Sequence, residues 1–191
     1  VYSTLHVGKA IQIAFRMIAL GVPPEEISQT GIIRILMKQT LVPILCDHCK
    51  LALSEQSLSE AQARALKPLE GAFADIYLRN CEGCEHCHKN MSETGVKAWA
   101  GYQRLVAVGE VIEPDDAFNA YVRANDANGA NAHWLRPKNE GGMGGIEIEA
   151  KMTELVLQGQ LDPFDALSKK GDLGKRLNPS QRLSLRTGSV E

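Results

Sequence analysis

The sequence has no long apolar run: none reaches the ~20 residues that an α-helix needs to cross a bilayer, so nothing in it predicts a membrane span. Aromatic residues are scarce, at 5%, and the net charge is only −2. Together these argue against a nucleic-acid partner, which calls for a basic face, stacking aromatics or both. The opening Val1-Tyr2-Ser3-Thr4-Leu5-His6 holds neither the basic stretch nor the long apolar core of a secretory signal. There is no GxGxxG pattern and no GxxxxGK followed by Ser or Thr, so both common glycine-rich phosphate cradles are missing from these residues.

What is there is ordinary for a globular chain. Apolar residues make up 44% and charged residues 23% of 191. That length suits one domain, or two small ones. The chain opens on a strand-like run without an initiator Met, which reads as a piece of a longer protein cut inside a folded domain.

The pattern predicts a mixed α/β order of elements. Val1 to Leu5 reads as a short buried strand. Gly8 to Leu20 reads as a helix, with Ile11, Ala14, Phe15 and Ile18 on one face and Gly21 as its stop. Pro23-Pro24-Glu25-Glu26 opens a second helix, which carries Ile27, Ile32, Ile35 and Leu36 and ends at Pro43. Leu58 to Leu66 is a short helix with Ser57 or Ser59 as N-cap. Gly101 to Ile112 is a strand rich in β-branched residues, and Asp115 to Arg123 a helix. Ala124 to Ala132 is low in complexity, and Gly141 to Gly145 a flexible loop. Ile148, Met152, Leu155 and Val156 form a helical stripe closed by Gly159, and Asp162-Pro163 starts a last helix. The tail beyond Gly171 has few apolar anchors and reads as loose.

The five cysteines all fall between Cys46 and Cys87. An odd, clustered set argues against a disulfide framework and for metal binding. Cys46-x-x-Cys49 sets two thiolates on one side of an ion at little strain, and a second such turn completes a tetrahedral zinc shell. The second half is ambiguous, because Cys81-x-x-Cys84-x-x-Cys87 offers two overlapping pairs, and His48, His86 and His88 can each stand in for a cysteine. Thirty-four residues separate Cys49 from Cys84 and thirty-one separate it from Cys81. Either loop closes, since closure entropy grows only logarithmically with length. The competing readings are a redox CxxC and cysteines that are merely small and buried. A closed four-sulfur site leaves no open position, so its work is folding rather than catalysis.

His6 sits between a strand and a helix, where α/β loops meet phosphates, although a lone histidine there is more often structural. Lys9 in Val7-Gly8-Lys9-Ala10 lacks the upstream glycine and the following Ser or Thr of a P-loop, and reads as a helix-start lysine.

In order along the chain, these residues resemble the secretion ATPases of type II secretion and type IV pilus assembly. Val1-Tyr2-Ser3-Thr4-Leu5-His6 is similar to that family's histidine box, and Arg16-Met17-Ile18 with Gly21-Val22-Pro23 to its following helix and turn. Gln39-x-Leu41-Val42-x-x-Leu45-Cys46-x-x-Cys49-Lys50 resembles "QRLVRxLCxxCK". Gly83-Cys84-x-x-Cys87, Gly101-Tyr102 and Glu110 resemble "GCxxCxxxGYxGRxxxxE", which selects Cys84 and Cys87 over Cys81 as the second pair. Gly159-x-Leu161-x-Pro163 resembles the closing helix pair, so the likeness covers roughly residues 1–165. Thr40 and Pro43 stand where arginines are usual, and the interval from Cys87 to Gly101 is longer than the family's. These departures mark a divergent branch, such as one serving a conjugative pilus.

The resemblance implies the C-terminal part of a RecA-like P-loop ATPase domain (1–45), an inserted four-cysteine zinc subdomain (46–100), a mainly helical region (101–170) and a loose tail (171–191). It implies a cytoplasmic homo-hexamer docked on an inner-membrane platform protein, with ATP and Mg2+ bound in the full-length protein. His6 would then lie near the γ-phosphate. Walker A and Walker B would precede Val1, so these residues alone would not hydrolyse ATP. The alternative is a non-enzymatic zinc-binding module for protein interaction.

Overall fold

A computed structural model describes residues 4–88, 99–170 and 173–175. The chain is mixed α/β and divides into two compact units, Val1–Gln39 with Gly109–Glu147 and Thr40–Val108 with Ile148–Glu191. Two of the three boundaries fall inside strands, β1 (Leu36–Leu45) and β4 (Tyr102–Ile112), which pair with each other.

In the first unit, α1 (Gln12–Ala19) begins where the Gln12 side chain folds back to accept the amides of Gly8 and Lys9, at 2.9 and 3.1 Å. It ends at Gly21, whose φ of +96° a side chain would disfavour. The expected strand at the start lies outside the described residues at 1–3, while Thr4 and Leu5 have no regular structure. The second helix is overturned. Only one turn forms, α2 (Pro24–Ile27), before Gly31 turns the chain at φ +87°, and Leu36–Leu45 is strand. The apolar positions suited either period. What tips the balance is Thr40, Val42 and Ile44, β-branched at every second residue, and the tolerance of an edge strand for Pro43.

Helices α5 (Asp116–Arg123) and α6 (Ala127–Leu135) complete this unit, and α6 corrects the low-complexity reading of Ala124 to Ala132. Asp115 and Asp126 cap them, accepting the Phe118 amide at 2.7 Å and the Gly129 amide at 2.9 Å. Ala10, Ala14, Phe118, Val122 and Trp134 form the core, and the Trp134 indole donates to the Val111 carbonyl at 3.2 Å. The glycine run is not a free loop. The amides of Gly142, Met143, Gly144 and Gly145 donate to the carbonyls of Pro137, His133, Arg136 and Trp134, which satisfies the end of α6.

The second unit holds a two-stranded antiparallel ladder, β2 (Leu51–Ala52) on β3 (Tyr77–Leu78), with Leu51 opposite Leu78. Helix α3 (Glu60–Leu66) starts at Ser59, whose hydroxyl and amide pair reciprocally with Gln62. Helix α7 (Ile148–Leu157) ends at Gly159, and α8 (Pro163–Lys170) starts after Asp162, which accepts the Phe164 amide at 2.7 Å. Leu53, Leu66, Ile76, Met152, Val156 and Leu161 lie in its core. Between β3 and β4 the chain forms α4 (Glu85–His88). No helix among the described residues is long and apolar enough to cross a membrane.

Candidate metal centre

Cys46 closes β1. Its amide donates to the Gly101 carbonyl at 2.8 Å, and its own carbonyl accepts the amides of Cys49 and Lys50 at 3.3 and 3.0 Å, which curls Asp47 to Cys49 into a turn. The second turn begins at Asn80, whose side chain accepts the Glu82 amide at 3.0 Å while its carbonyl accepts that of Gly83 at 3.1 Å. Gly83 takes φ +68° and leads into Cys84 at the start of α4. Gly101, with φ +81°, leaves no room for a β-carbon, which would sit 2.3 Å from the Asn80 carbonyl.

These turns bring the sulfurs of Cys46, Cys49, Cys84 and Cys87 within 4.8 Å of one another. The Cys84 sulfur is 3.8 Å from that of Cys46 and 3.9 Å from that of Cys87. A tetrahedron with metal–sulfur bonds of about 2.3 Å has sulfur–sulfur edges of about 3.8 Å. A disulfide would need about 2.05 Å, and all five cysteines are free thiols. The donor set and its spacing therefore fit a soft tetrahedral cation. Cys46 and Cys87 are buried, Cys49 and Cys84 half-buried.

The surroundings treat the sulfurs unequally. The Cys87 sulfur accepts the amides of Cys84 at 3.1 Å and Gly101 at 3.4 Å. The Cys84 thiol is pulled down to about 7, first by the Cys87 backbone amide, against the effect of burial. Burial pushes the Cys46 and Cys49 thiols up, and charge on neighbouring thiols adds to it. The Cys84 thiolate thus forms readily while Cys46 and Cys49 resist joining it, a situation that a divalent cation resolves.

The candidates left open by the sequence separate cleanly. Cys81 is exposed and stands outside the four-sulfur group. His48 and His86 stack on each other, with ring centroids 3.7 Å apart and planes 14° apart, rather than joining the sulfurs. The side chain of His88 is outside the described residues. Among the described residues, no other group of three or more Cys, His, Asp or Glu converges this way. His6 is exposed, before α1. Lys9 pairs with Glu147 at 2.7 Å, which agrees with its reading as a structural lysine. Glu110 is fully buried, and its carboxylate accepts the Ala10 amide at 2.7 Å ahead of α1.

Sequence reasoning overlooked the residues that brace the clip. The Lys50 ammonium lies 4.6 Å over the Tyr77 ring, and the Arg79 guanidinium lies 4.2 Å over Tyr102 while its Nε donates to the Ala100 carbonyl at 2.7 Å. The hint in the sequence was that Lys50 and Tyr102 are themselves letters of the two cysteine-bearing motifs.

A search among curated proteins returned no match. The sequence model of one family, described as type II/IV secretion system protein, matches residues 1–152. With four-fifths of the chain inside that match and a cysteine clip assembled within it, the chain belongs to the type II/IV secretion system protein family.

Proposed function

We propose that the chain is the C-terminal portion of a hexameric, RecA-like P-loop ATPase that powers pilus or type II pseudopilus assembly. In this reading the protein is cytoplasmic, peripheral at the inner membrane, and docks there on a platform protein. The observation that carries the reading is the family match over residues 1–152. Cys46, Cys49, Cys84 and Cys87 would hold one structural zinc ion. Such an ion neutralises clustered thiolates and ties two loops together, and four sulfurs leave it no site for substrate. His6, exposed ahead of α1, is the residue offered to the γ-phosphate of ATP bound with Mg2+ by the phosphate-binding motifs of the longer protein.

Two measurements test this. Purified chain should carry about one zinc with sulfur-only ligation in X-ray absorption, and Cys84→Ser with Cys87→Ser should abolish it. A doubly substituted protein that keeps its zinc would assign the second pair wrongly. The intact gene product should hydrolyse ATP as a hexamer, and His6→Ala should lower turnover by about 10- to 100-fold with ATP affinity nearly unchanged. An intact product that binds protein partners but neither binds nor hydrolyses nucleotide would identify a non-enzymatic zinc module instead.

A further inference from the structure

Contacts from residues beside the clip cysteines converge on one short stretch, the corner between α7 and α8. The Leu45 amide, next to Cys46, donates to the Gln160 carbonyl at 2.8 Å. The Lys50 ammonium, next to Cys49, donates to the Gly159 carbonyl at 3.0 Å. On the other side of the clip, the Arg79 amide donates to Asp162 Oδ2 at 2.7 Å. The Tyr102 hydroxyl donates to Asp165 Oδ2 at 2.7 Å, and Tyr102 follows Gly101, whose amide holds the Cys87 sulfur. Gly159 is packed so closely on Tyr77 that a β-carbon would lie 2.6 Å from its ring.

We propose that the cysteine clip is a metal-dependent latch for this corner, so that metal loading sets whether α8 is held in place. The inference rests on the reading of the four cysteines as a metal site. Filling it fixes the turn at 46–50 against the turn at 80–87. Lys50 belongs to the first turn and Leu45 enters it from β1, while Arg79 precedes the second turn and Tyr102 follows Gly101, which holds that turn through the Cys87 sulfur, so all four anchors are aligned together. Without the ion, the two turns are joined only by thiol contacts and the stack of His48 on His86, and Asp162, which caps α8, loses a firmly positioned donor.

Hydrogen exchange read by mass spectrometry on the whole chain tests this, with zinc content measured on the same samples. Stripping zinc should speed exchange in α8 roughly tenfold or more and leave α3, α5 and α6 nearly unchanged. Lys50→Met and Tyr102→Phe should each reproduce part of that acceleration while retaining about one zinc. Acceleration confined to 46–50 and 80–87 would overturn the latch and leave the metal site standing. Equal acceleration of α3 and α8 would also overturn it, since zinc would then simply fold the unit. A chain that takes up no zinc would end both readings at once.

Discussion

Gly145 lies against the face of Trp134, where an added β-carbon would fall 2.2 Å from the indole. Trp134 belongs to a packed core, so it cannot retreat without opening a void. Gly145→Ala should therefore destabilise the first unit by at least about 2 kcal/mol, read from urea melts. A change under ~0.5 kcal/mol would show that the glycine run is as loose as its composition suggests. Asp115 offers a titration test. Burial opposes its ionisation, but the Phe118 amide and then His133, at 2.8 Å, hold its carboxyl below the usual carboxylate range. A depressed carboxylate adds stability above its unfolded pKa, and that gain disappears as pH falls through the folded value. Asp115→Asn should thus be less stable than the parent at pH ~7, with the gap narrowing as pH falls below the ordinary carboxylate value of about 3.9. A gap that persists at low pH would mean that the carboxylate charge is irrelevant.

At the scale of elements, the short-range signals were legible and the long-range choice was not. Ser59 with Gln62, Asp162 with Pro163, and Gly159 each set a helix boundary through contacts within four residues, and each stands where its chemistry predicts. The segment from Ile32 to Pro43 was misread because its apolar spacing serves a helix and a strand alike. Pairing with β4, from a distant part of the sequence, decided for strand. The clip is likewise an element with its own pH behaviour. Thiols whose pKa is raised by folding bind their protons more tightly in the folded state, so their stabilisation is lost as pH rises past the unfolded value of about 8.5. Zinc-free protein should accordingly lose stability between pH ~8 and ~10, and zinc-loaded protein should not. Thermal melts of the two forms across that range check this, and parallel pH dependence would argue against metal ligation by Cys46 and Cys49. Cys81→Ser, by contrast, should leave zinc content unchanged.

For the molecule as a whole, the two units are each assembled from two separate stretches of chain, so neither corresponds to one run of sequence. That is why composition shifts could not reveal them. The residues contain no P-loop signature, and the chain by itself should show no ATP hydrolysis above background in a phosphate-release assay. Measurable turnover would require a nucleotide site built from other residues. By itself the sequence determined the family, through the order of its motifs, and the half-site at Cys46 and Cys49, because two thiols three residues apart share one turn in almost any fold. The resemblance selected Cys84 and Cys87 as the second pair, but only the tertiary structure decided that the four sulfurs converge. Cys84 and Cys87 meet the first pair, and Cys81 does not, because the Asn80–Gly83 turn and the amide of Gly101 aim one sulfur pair inward across a loop of thirty-four residues. Distances across such a loop depend on the whole packed unit, and no local pattern encodes them.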